Sequence, residues 1–133
     1  MGAPKERAVI FGAGLAGQRA CRLLRHRSRV LAFVDNDAGK HGTRVLRRPV
    51  IGPSDLPGLR VDRVYIASMH AQEIATQLWN ERVIDPARVE IVPTAVTRGD
   101  YEVSRWTYVA LGVLVFGGVA MLAGIGVFVR LIG

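Results

Sequence analysis

The sequence predicts an α/β fold, with a small parallel sheet of about five strands followed by a single C-terminal transmembrane helix. Between residues 8 and 92, short apolar segments alternate with amphipathic ones, which is typical of a parallel sheet with right-handed crossovers. The run 108–129 then contains no charged residue and is long enough to cross a bilayer. We therefore divide the chain into a domain of residues 1–93, a connector of residues 94–107 and a helix of residues 108–130.

The sheet is predicted from apolar runs that end at turn-forming residues, as buried strands do. Pro49 donates no hydrogen bond to a strand ladder, so we expect its strand at an edge of the sheet. Ser54 is expected to cap a single helical turn over Asp55 and Leu56. The predicted strands are residues 8–11, 29–34, 49–52, 63–67 and 88–92, and the predicted helices are residues 15–26 and 71–82.

The first predicted strand ends in a glycine motif, Gly12-Ala13-Gly14-Leu15-Ala16-Gly17, which opens the first predicted helix. In that setting Gly12 permits a tight turn, Gly14 lets the backbone approach a diphosphate, and Gly17 lets the helix pack closely on the sheet. The N–H groups at the start of the helix favour phosphate binding. All six residues are therefore candidate cofactor contacts in a Rossmann-like domain. The alternative is that the glycines only build the turn and the loop holds no ligand.

Asp35 follows the second predicted strand, 18 residues after Gly17. A carboxylate at this position accepts hydrogen bonds from ribose hydroxyls and repels a 2′-phosphate. The next residue, Asn36, is not an arginine that would bind such a phosphate. Asp35 and Asn36 are therefore candidate cofactor contacts, and the expected cofactor is NAD rather than NADP.

Ser68 and His70 follow the strand at residues 63–67, where open α/β sheets present ligand contacts. Ser68 is a candidate donor to a phosphate or sugar, and His70 could act as an acid or base, although helix capping is the favoured role for both. The Tyr-x-x-x-Lys pair that deprotonates sugar hydroxyls is absent, since its nearest match is Tyr101-x-x-x-Arg105 and arginine does not release its proton. The sequence thus predicts a binding site without catalytic residues of its own and without a metal site.

The chain has a net charge of +7, from 18 basic and 11 acidic residues. The basic residues are scattered, without interleaved aromatic residues, which argues against nucleic acid as a partner. Beside a membrane segment they favour anionic lipid. The single cysteine, Cys21, excludes an internal disulfide and is expected to be buried in the first helix.

The apolar run is flanked by residues that are typical of a membrane span. Trp106 and Tyr108 stand at its start, where amphipathic aromatic side chains anchor in the interface. Arg98 and Arg105 precede it, so we expect the domain on the cytoplasmic side, and the few residues after Arg130 suggest a tail-anchored topology. A stripe of small residues predicts a homo-oligomer or a membrane-protein partner; it comprises Ala110, Gly117, Ala120 and Gly124.

Segments around the glycine motif and Asp35 resemble the nucleotide-binding domain of polysaccharide-biosynthesis proteins, among them the membrane-bound nucleotide-sugar dehydratases and epimerases of the CapD type. A similar domain begins some sugar O-acyltransferases, where it holds a nucleotide sugar. The resemblance rests on residues 7–17, 33–37, 39–42 and 49–52. It implies NAD or a nucleotide sugar, such as a UDP-sugar, as the ligand, with Gly12, Gly14, Gly17 and Asp35 matching by position.

The resemblance does not extend to the dehydratase reaction, because the family's catalytic domain with its Tyr/Lys pair has no counterpart here. In that family the membrane helices also precede the domain. The leading hypothesis is a membrane-tethered, cytoplasmic binding module that is accessory or regulatory in polysaccharide or envelope-sugar metabolism. Two alternatives stay open: an interaction protein with a vacant Rossmann site, and a component of an oxidoreductase or sugar-modifying enzyme completed by another chain.

Overall fold

The computed structural model describes residues 2–93, which form a six-stranded sheet and two α-helices. The strands are β1 (Glu6–Phe11), β2 (Ser28–Val34), β3 (Arg44–Val45), β4 (Arg48–Ile51), β5 (Arg63–Ile66) and β6 (Val89–Ile91). The α-helices are α1 (Leu15–Leu24) and α2 (Ala71–Asn80), and three short 3-10 helices cover Ala38–Lys40, Pro53–Gly58 and Pro86–Arg88. The predicted alternation of strands and helices is confirmed.

The strand order is β3-β4-β2-β1-β5-β6, and neighbouring strands are parallel except in the β3–β4 pair. From β1 the chain first builds outward through β2 and β4, and then crosses to β5 and β6 on the other side. The order therefore reverses between β1 and β5, and open α/β sheets bind ligands at such a point, beyond the carboxyl ends of the strands.

The registers of the three central strands bring their carboxyl ends level. Phe11, the last residue of β1, pairs with Val34 of β2 and with Ile66 of β5. The residues that follow continue this alignment, because the Gly12 amide donates to the Val34 carbonyl at 2.7 Å and the Ala67 amide donates to the Phe11 carbonyl at 2.9 Å. The loops after β1, β2 and β5 thus start from the same end of the sheet, the one formed by the carboxyl ends of its strands.

The side of the sheet that contains β3 and β4 differs from the prediction. The strand that contains Pro49 is not at the edge, since β4 pairs with β2 on one side and with β3 on the other. Pro49 is tolerated because the pairing with β2 begins only at Val50. The additional strand, β3, brings the sheet to six strands rather than about five.

The short helix Pro53–Gly58 also differs in its cap. Its N-cap is Gly52, and the Asp55 carboxylate accepts the Gly52 amide at 3.3 Å. Ser54 lies inside the helix and is not its cap, so that prediction was wrong. Both α-helices end two residues before the predicted positions, at Leu24 and Asn80.

The sheet is covered on both faces, as its nearly continuous apolar strands require. On one face α1 buries the positions Gly17, Ala20, Cys21 and Leu24, which follow the helical i, i+3, i+4, i+7 spacing. Cys21 is buried as expected, and burial raises its pKa even though Arg48 and Arg22 act in the opposite direction. The other face packs against α2 and the short helix after β4; its buried residues include Val9, Phe11, Val34, Leu56, Val64, Ile66, Ile74 and Leu78.

The predicted connector, the transmembrane helix and its stripe of small residues all lie outside the described residues. Within residues 2–93, neither helix is both long and apolar enough to cross a membrane.

Candidate nucleotide-binding site

The glycine motif forms the loop between β1 and α1, and two of its glycines are required by the fold itself. Gly12 has a φ of 117°, and a Cβ there would overlap the Ala67 carbonyl oxygen. A Cβ at Gly17 would overlap the Gly12 carbonyl oxygen. These two positions therefore exclude larger side chains because of the turn and of the helix that packs on the sheet.

Gly14 is different, because nothing in the described part of the chain requires a glycine at this position. Its backbone angles, φ −82° and ψ −166°, are open to any residue. It is exposed, and a Cβ placed on it would meet no atom within 4 Å. The missing side chain keeps open the space in front of α1, which is where a diphosphate would approach.

The start of α1 carries free donors. The Gln18 amide donates to the Gly14 carbonyl at 3.0 Å, which makes Gly14 the N-cap. No side chain caps this end, and the first turn of α1 contains no acidic residue. The amides of Leu15, Ala16 and Gly17 therefore have no acceptor inside the helix, and together with the helix dipole they favour an anion.

Asp35 lies beside this loop, as the sequence predicts. One carboxylate oxygen accepts the Ala13 amide at 3.0 Å, and the other accepts the Asp37 amide at 2.9 Å. The side chain is 15% exposed. Partial burial works to raise the pKa of Asp35, but the two amides and the ammonium of Lys40 outweigh it and hold the pKa below its usual value. Asp35 is therefore a carboxylate at neutral pH.

Lys40 and His41 belong to the same site, although neither was predicted as a site residue. The Lys40 ammonium lies 3.3 Å from Asp35 Oδ2. The His41 imidazole Nε2 lies 2.6 Å from the Asp35 backbone oxygen. The loop turns back because Asp37 accepts the Gly39 amide at 2.9 Å and thereby caps the short helix Ala38–Lys40. The Asp-x-Gly spacing was the available signal for this turn.

Asn36 stands next to Asp35, but its side chain binds α2. Its amide nitrogen donates to Gln77 Oε1 at 2.8 Å, and the Gln77 amide nitrogen donates back to Asn36 Oδ1 at 3.1 Å. This reciprocal pair ties the end of β2 to α2. The predicted contact with a cofactor therefore requires the Asn36 backbone or a rearrangement of its side chain.

Ser68 lies across the reversal point, after β5. Its hydroxyl accepts the His70 amide at 3.1 Å and so forms the turn that leads into α2. His70 is the N-cap residue of α2, but its side chain does not cap the helix; its Nδ1 lies 3.7 Å from Glu73. The structure thus supports a turn-forming role for Ser68, and it leaves the His70 ring 78% exposed.

A groove of about 380 Å³ runs beside Ser68 between the start of α2 and the end of β6. Met69, 82% exposed, is among the residues that line it. Its other lining residues are Ala71, Gln72, Glu73, Ile91 and Val92. The carboxyl end of the sheet therefore offers anion-binding amides at α1, a carboxylate at Asp35, and a groove with mixed apolar and polar walls after β5.

The family of the chain follows from the sequence that builds this site. The model for the family described as C2185-like, N-terminal, matches residues 4–90, which is more than half of the chain. The chain belongs to the C2185-like family. The match includes both the glycine loop and Asp35. No curated protein matches this C2185-like chain.

Solved structures share the fold of this C2185-like domain. The crystal structure of UDP-D-quinovosamine 4-dehydrogenase from Vibrio fischeri aligns with a TM-score of 0.56 and 22% identity, over 79% of this chain and 98% of that chain. The crystal structure of RSP in complex with β-NADH aligns with a TM-score of 0.50 and 17% identity, over 68% of this chain and 55% of that one. A related RSP crystal structure identifies that protein as a Rex-family repressor. At these identities the likeness is one of fold.

Proposed function

We propose that the C2185-like domain binds NAD(H) or a nucleotide sugar such as a UDP-sugar, holding the diphosphate at the start of α1 and a ribose beside Asp35. The observation that supports this most directly is Gly14. It is an exposed glycine that the described fold does not require, and it leaves an uncapped helix N-terminus open. A ligand that approaches the backbone closely accounts for a glycine at this position.

The known structures of the same fold agree with this ligand class. One is named as a dehydrogenase of a UDP-sugar, and another was solved with β-NADH. Both ligands contain a diphosphate next to a ribose. The negative charge of Asp35 favours a ribose without a 2′-phosphate, although the ammonium of Lys40 at 3.3 Å offsets part of that charge.

We further propose that the domain is tethered to a membrane by the apolar segment at residues 108–130 and that it faces the cytoplasm. The absence of charge over residues 108–129 and the arginines before them support this proposal. Together with the CapD-type resemblance, tethering favours an accessory or regulatory role in polysaccharide or envelope-sugar metabolism. Catalysis would then belong to another protein.

A vacant site is the second candidate, and one observation favours it. The two carboxylate oxygens of Asp35 already accept two backbone amides and the Lys40 ammonium. A ribose must share these oxygens or displace Lys40. If the site is vacant, the role of Asp35 is structural, because it joins the glycine loop to the loop after β2. The domain then serves as an interaction module.

Calorimetry on the full chain in a nonionic detergent distinguishes the two candidates. NAD, NADH and UDP-N-acetylglucosamine are titrated against the unmodified chain, Gly14→Val and Gly58→Val. Gly58 is the matched control, because it is also exposed and a Cβ there also meets no atom within 4 Å. We expect Gly14→Val to weaken binding by at least about tenfold, or roughly 1.4 kcal/mol, and Gly58→Val to leave it unchanged. Absence of binding by the unmodified chain at millimolar ligand would favour the vacant site.

A further inference from the structure

Cationic residues line a second concavity, at the end of the sheet opposite the glycine loop, where β1 and β2 begin. This concavity has a volume of about 550 Å³ and lies beside the end of α1 and the start of β4. We call it the basic pocket. Its five cationic residues are Lys5, Arg7, Arg25, Arg29 and Arg48, and the remaining lining residues are Pro4, Ser28 and Val30.

The charge of the basic pocket is not balanced within residues 2–93. None of its lining residues is acidic, and none of its five cations forms an ion pair with a described carboxylate. Asp62 contacts the backbone amide of Arg7 at 2.8 Å rather than its guanidinium. Glu6 is engaged by Ser28, Tyr65 and Arg63. The positive potential of the pocket is therefore available to an anion.

One of the five cations, Lys5, interacts with the end of a helix. The Lys5 ammonium donates to the carbonyl of Arg25, the C-cap residue of α1, at 2.8 Å. It thereby gives this carbonyl a donor and places a positive charge at the negative end of the helix dipole. Arg29 lies on the next strand and is exposed. Helix capping therefore accounts for Lys5 but not for the arginines.

Two of the arginines are held in place by backbone carbonyls. Arg48 Nε donates to the Val30 carbonyl at 2.8 Å and its Nη1 donates to the Leu46 carbonyl at 2.7 Å. Arg7 Nε donates to the Arg60 carbonyl at 2.6 Å. A guanidinium has five N–H groups, so each of these arginines retains donors after the bonds that fix it. An anion that binds here would meet side chains whose positions are already restricted.

The turn that precedes Arg48 is strained. Leu46 and Arg47 have φ values of 47° and 65°, in the left-handed region, and neither is a glycine or asparagine. A glycine in this two-residue turn would relieve the strain. The sequence instead retains Leu46 and Arg47, and the carbonyl of Leu46 fixes the guanidinium of Arg48.

We propose that the basic pocket binds a phosphate or diphosphate group. Guanidinium groups match the geometry of phosphate oxygens with paired N–H donors, and four arginines line this one cavity. The group could belong to a soluble phosphorylated molecule or to a lipid headgroup, which share this chemistry. The pocket is separate from the glycine loop, because β1 begins beside the pocket and ends at the loop, and this strand is roughly 20 Å long. The two sites can therefore be occupied independently.

The test uses the full chain in a nonionic detergent, with inorganic pyrophosphate and the soluble lipid dihexanoyl phosphatidic acid as probes in calorimetry. All measurements are made in the Gly14→Val background, which weakens phosphate binding at the glycine loop. The pocket variant and the control variant share this background, so any remaining binding at the loop is the same in both. Arg25→Gln/Arg29→Gln neutralises two exposed arginines of the pocket. Arg82→Gln/Arg88→Gln is the matched control, since it removes the same charge from exposed positions outside the pocket.

We expect the pocket variant to lose at least about tenfold in affinity for the preferred probe and the control variant to lose less than about twofold, at near-physiological salt. Thermal melting followed by circular dichroism verifies that both variants fold. Stronger binding of pyrophosphate assigns the site to a soluble molecule, and stronger binding of the lipid assigns it to a headgroup; either supports the proposal. Equal losses in the two variants, or no binding of either probe at millimolar concentration, would overturn it. Neither result depends on whether NAD or a UDP-sugar binds at the glycine loop.

Discussion

The Asp35 carboxylate accepts the backbone amide of Ala13 at 3.0 Å and thereby joins the end of β2 to the glycine loop. The two parts of the candidate site, one for a diphosphate and one for a ribose, are thus connected by a hydrogen bond before any ligand arrives. A change at Asp35 should consequently affect the stability of the loop as well as ligand binding. These two effects can be measured separately.

Replacement of Asp35 by asparagine should destabilise the domain in a pH-dependent manner. The asparagine has one acceptor oxygen instead of two, so it loses the bond to Ala13 or the bond to Asp37, and we expect a cost of about 1–2 kcal/mol at pH 7. The pKa of Asp35 is lowered in the folded state, so its contribution is complete above the ordinary Asp pKa of about 3.9. It is lost as the pH falls through the lower, folded value. Thermal melting of both proteins from pH 7 to pH 3 measures the difference.

The predicted signature is a gap in Tm between the unmodified protein and the Asp35→Asn variant that is constant near neutrality and narrows below about pH 4. Asp37→Asn serves as the control, because the Asp37 carboxylate accepts the Gly39 amide in the loop that follows β2, whereas the Ala13 amide is bound by Asp35. A gap that stays constant down to pH 3 would show that the ionisation of Asp35 does not stabilise the fold.

The glycines of the loop should separate stability from binding. Gly17→Ala introduces a Cβ that overlaps the Gly12 carbonyl oxygen, and we expect a loss of about 3 kcal/mol or more in the free energy of unfolding. Gly14→Ala meets no neighbouring atom, so we expect a change below about 0.5 kcal/mol. Urea unfolding of the two variants measures both values. Similar losses in both would mean that Gly14 has a structural role that its surroundings do not show.

The central part of the site could be predicted from the sequence because its requirements are local. A glycine that must adopt a positive φ, such as Gly12, follows directly from a strand that turns into a helix. Asp35 was found because its position depends only on where β2 ends. Residues whose partners come from distant segments, such as Asn36 with Gln77, could not be placed in this way. Their contact depends on how α2 packs, 41 residues further along the chain.

The strands β3 and β4 were also difficult to predict from the sequence. Strand β3 has only two residues, and the turn after it contains Leu46 and Arg47 rather than the Asn-Gly or Asp-Gly that indicates a hairpin. Without that turn signal, Pro49 was the strongest remaining cue, and it suggested an edge strand. The structure shows why the cue misled: Pro49 lies opposite Arg44 at a position where β2 does not yet pair with β4.

The amide pair between Asn36 and Gln77 should make a small but measurable contribution to stability. Both side chains donate and accept, at 2.8 and 3.1 Å, but Asn36 is exposed and competes with water. A double-mutant cycle with Asn36→Ala and Gln77→Ala should give a coupling of about 0.5–1 kcal/mol. Chemical unfolding of the four proteins provides it. A coupling near zero would leave Asn36 free to turn toward a ligand.

Arg63, the first residue of β5, lies between two carboxylates on the neighbouring strands, Glu6 on β1 and Glu90 on β6. Glu6 accepts bonds from Ser28, Tyr65 and Arg63 at 2.7–3.1 Å. Glu90 has one oxygen 3.4 Å from Arg63, while its other oxygen is buried and has no hydrogen-bond partner among the described residues. Glu6→Ala leaves the buried Tyr65 hydroxyl without this acceptor, so we expect a loss of about 2–4 kcal/mol at pH 7. For Glu90 the expectation is the reverse.

Burial raises the pKa of Glu90, and the nearby Glu6 carboxylate acts in the same direction, against Arg63 and Arg27. A carboxyl whose pKa is raised on folding binds its proton more tightly in the folded state, so ionised Glu90 reduces stability at neutral pH. This cost disappears as the pH falls from the raised, folded pKa toward the ordinary Glu value of about 4.3. Glu90→Gln should therefore match or exceed the unmodified protein in Tm at pH 7, with the difference narrowing toward pH 4. A loss above about 1 kcal/mol at pH 7 would instead show that the ion pair with Arg63 outweighs the cost of burying the charge.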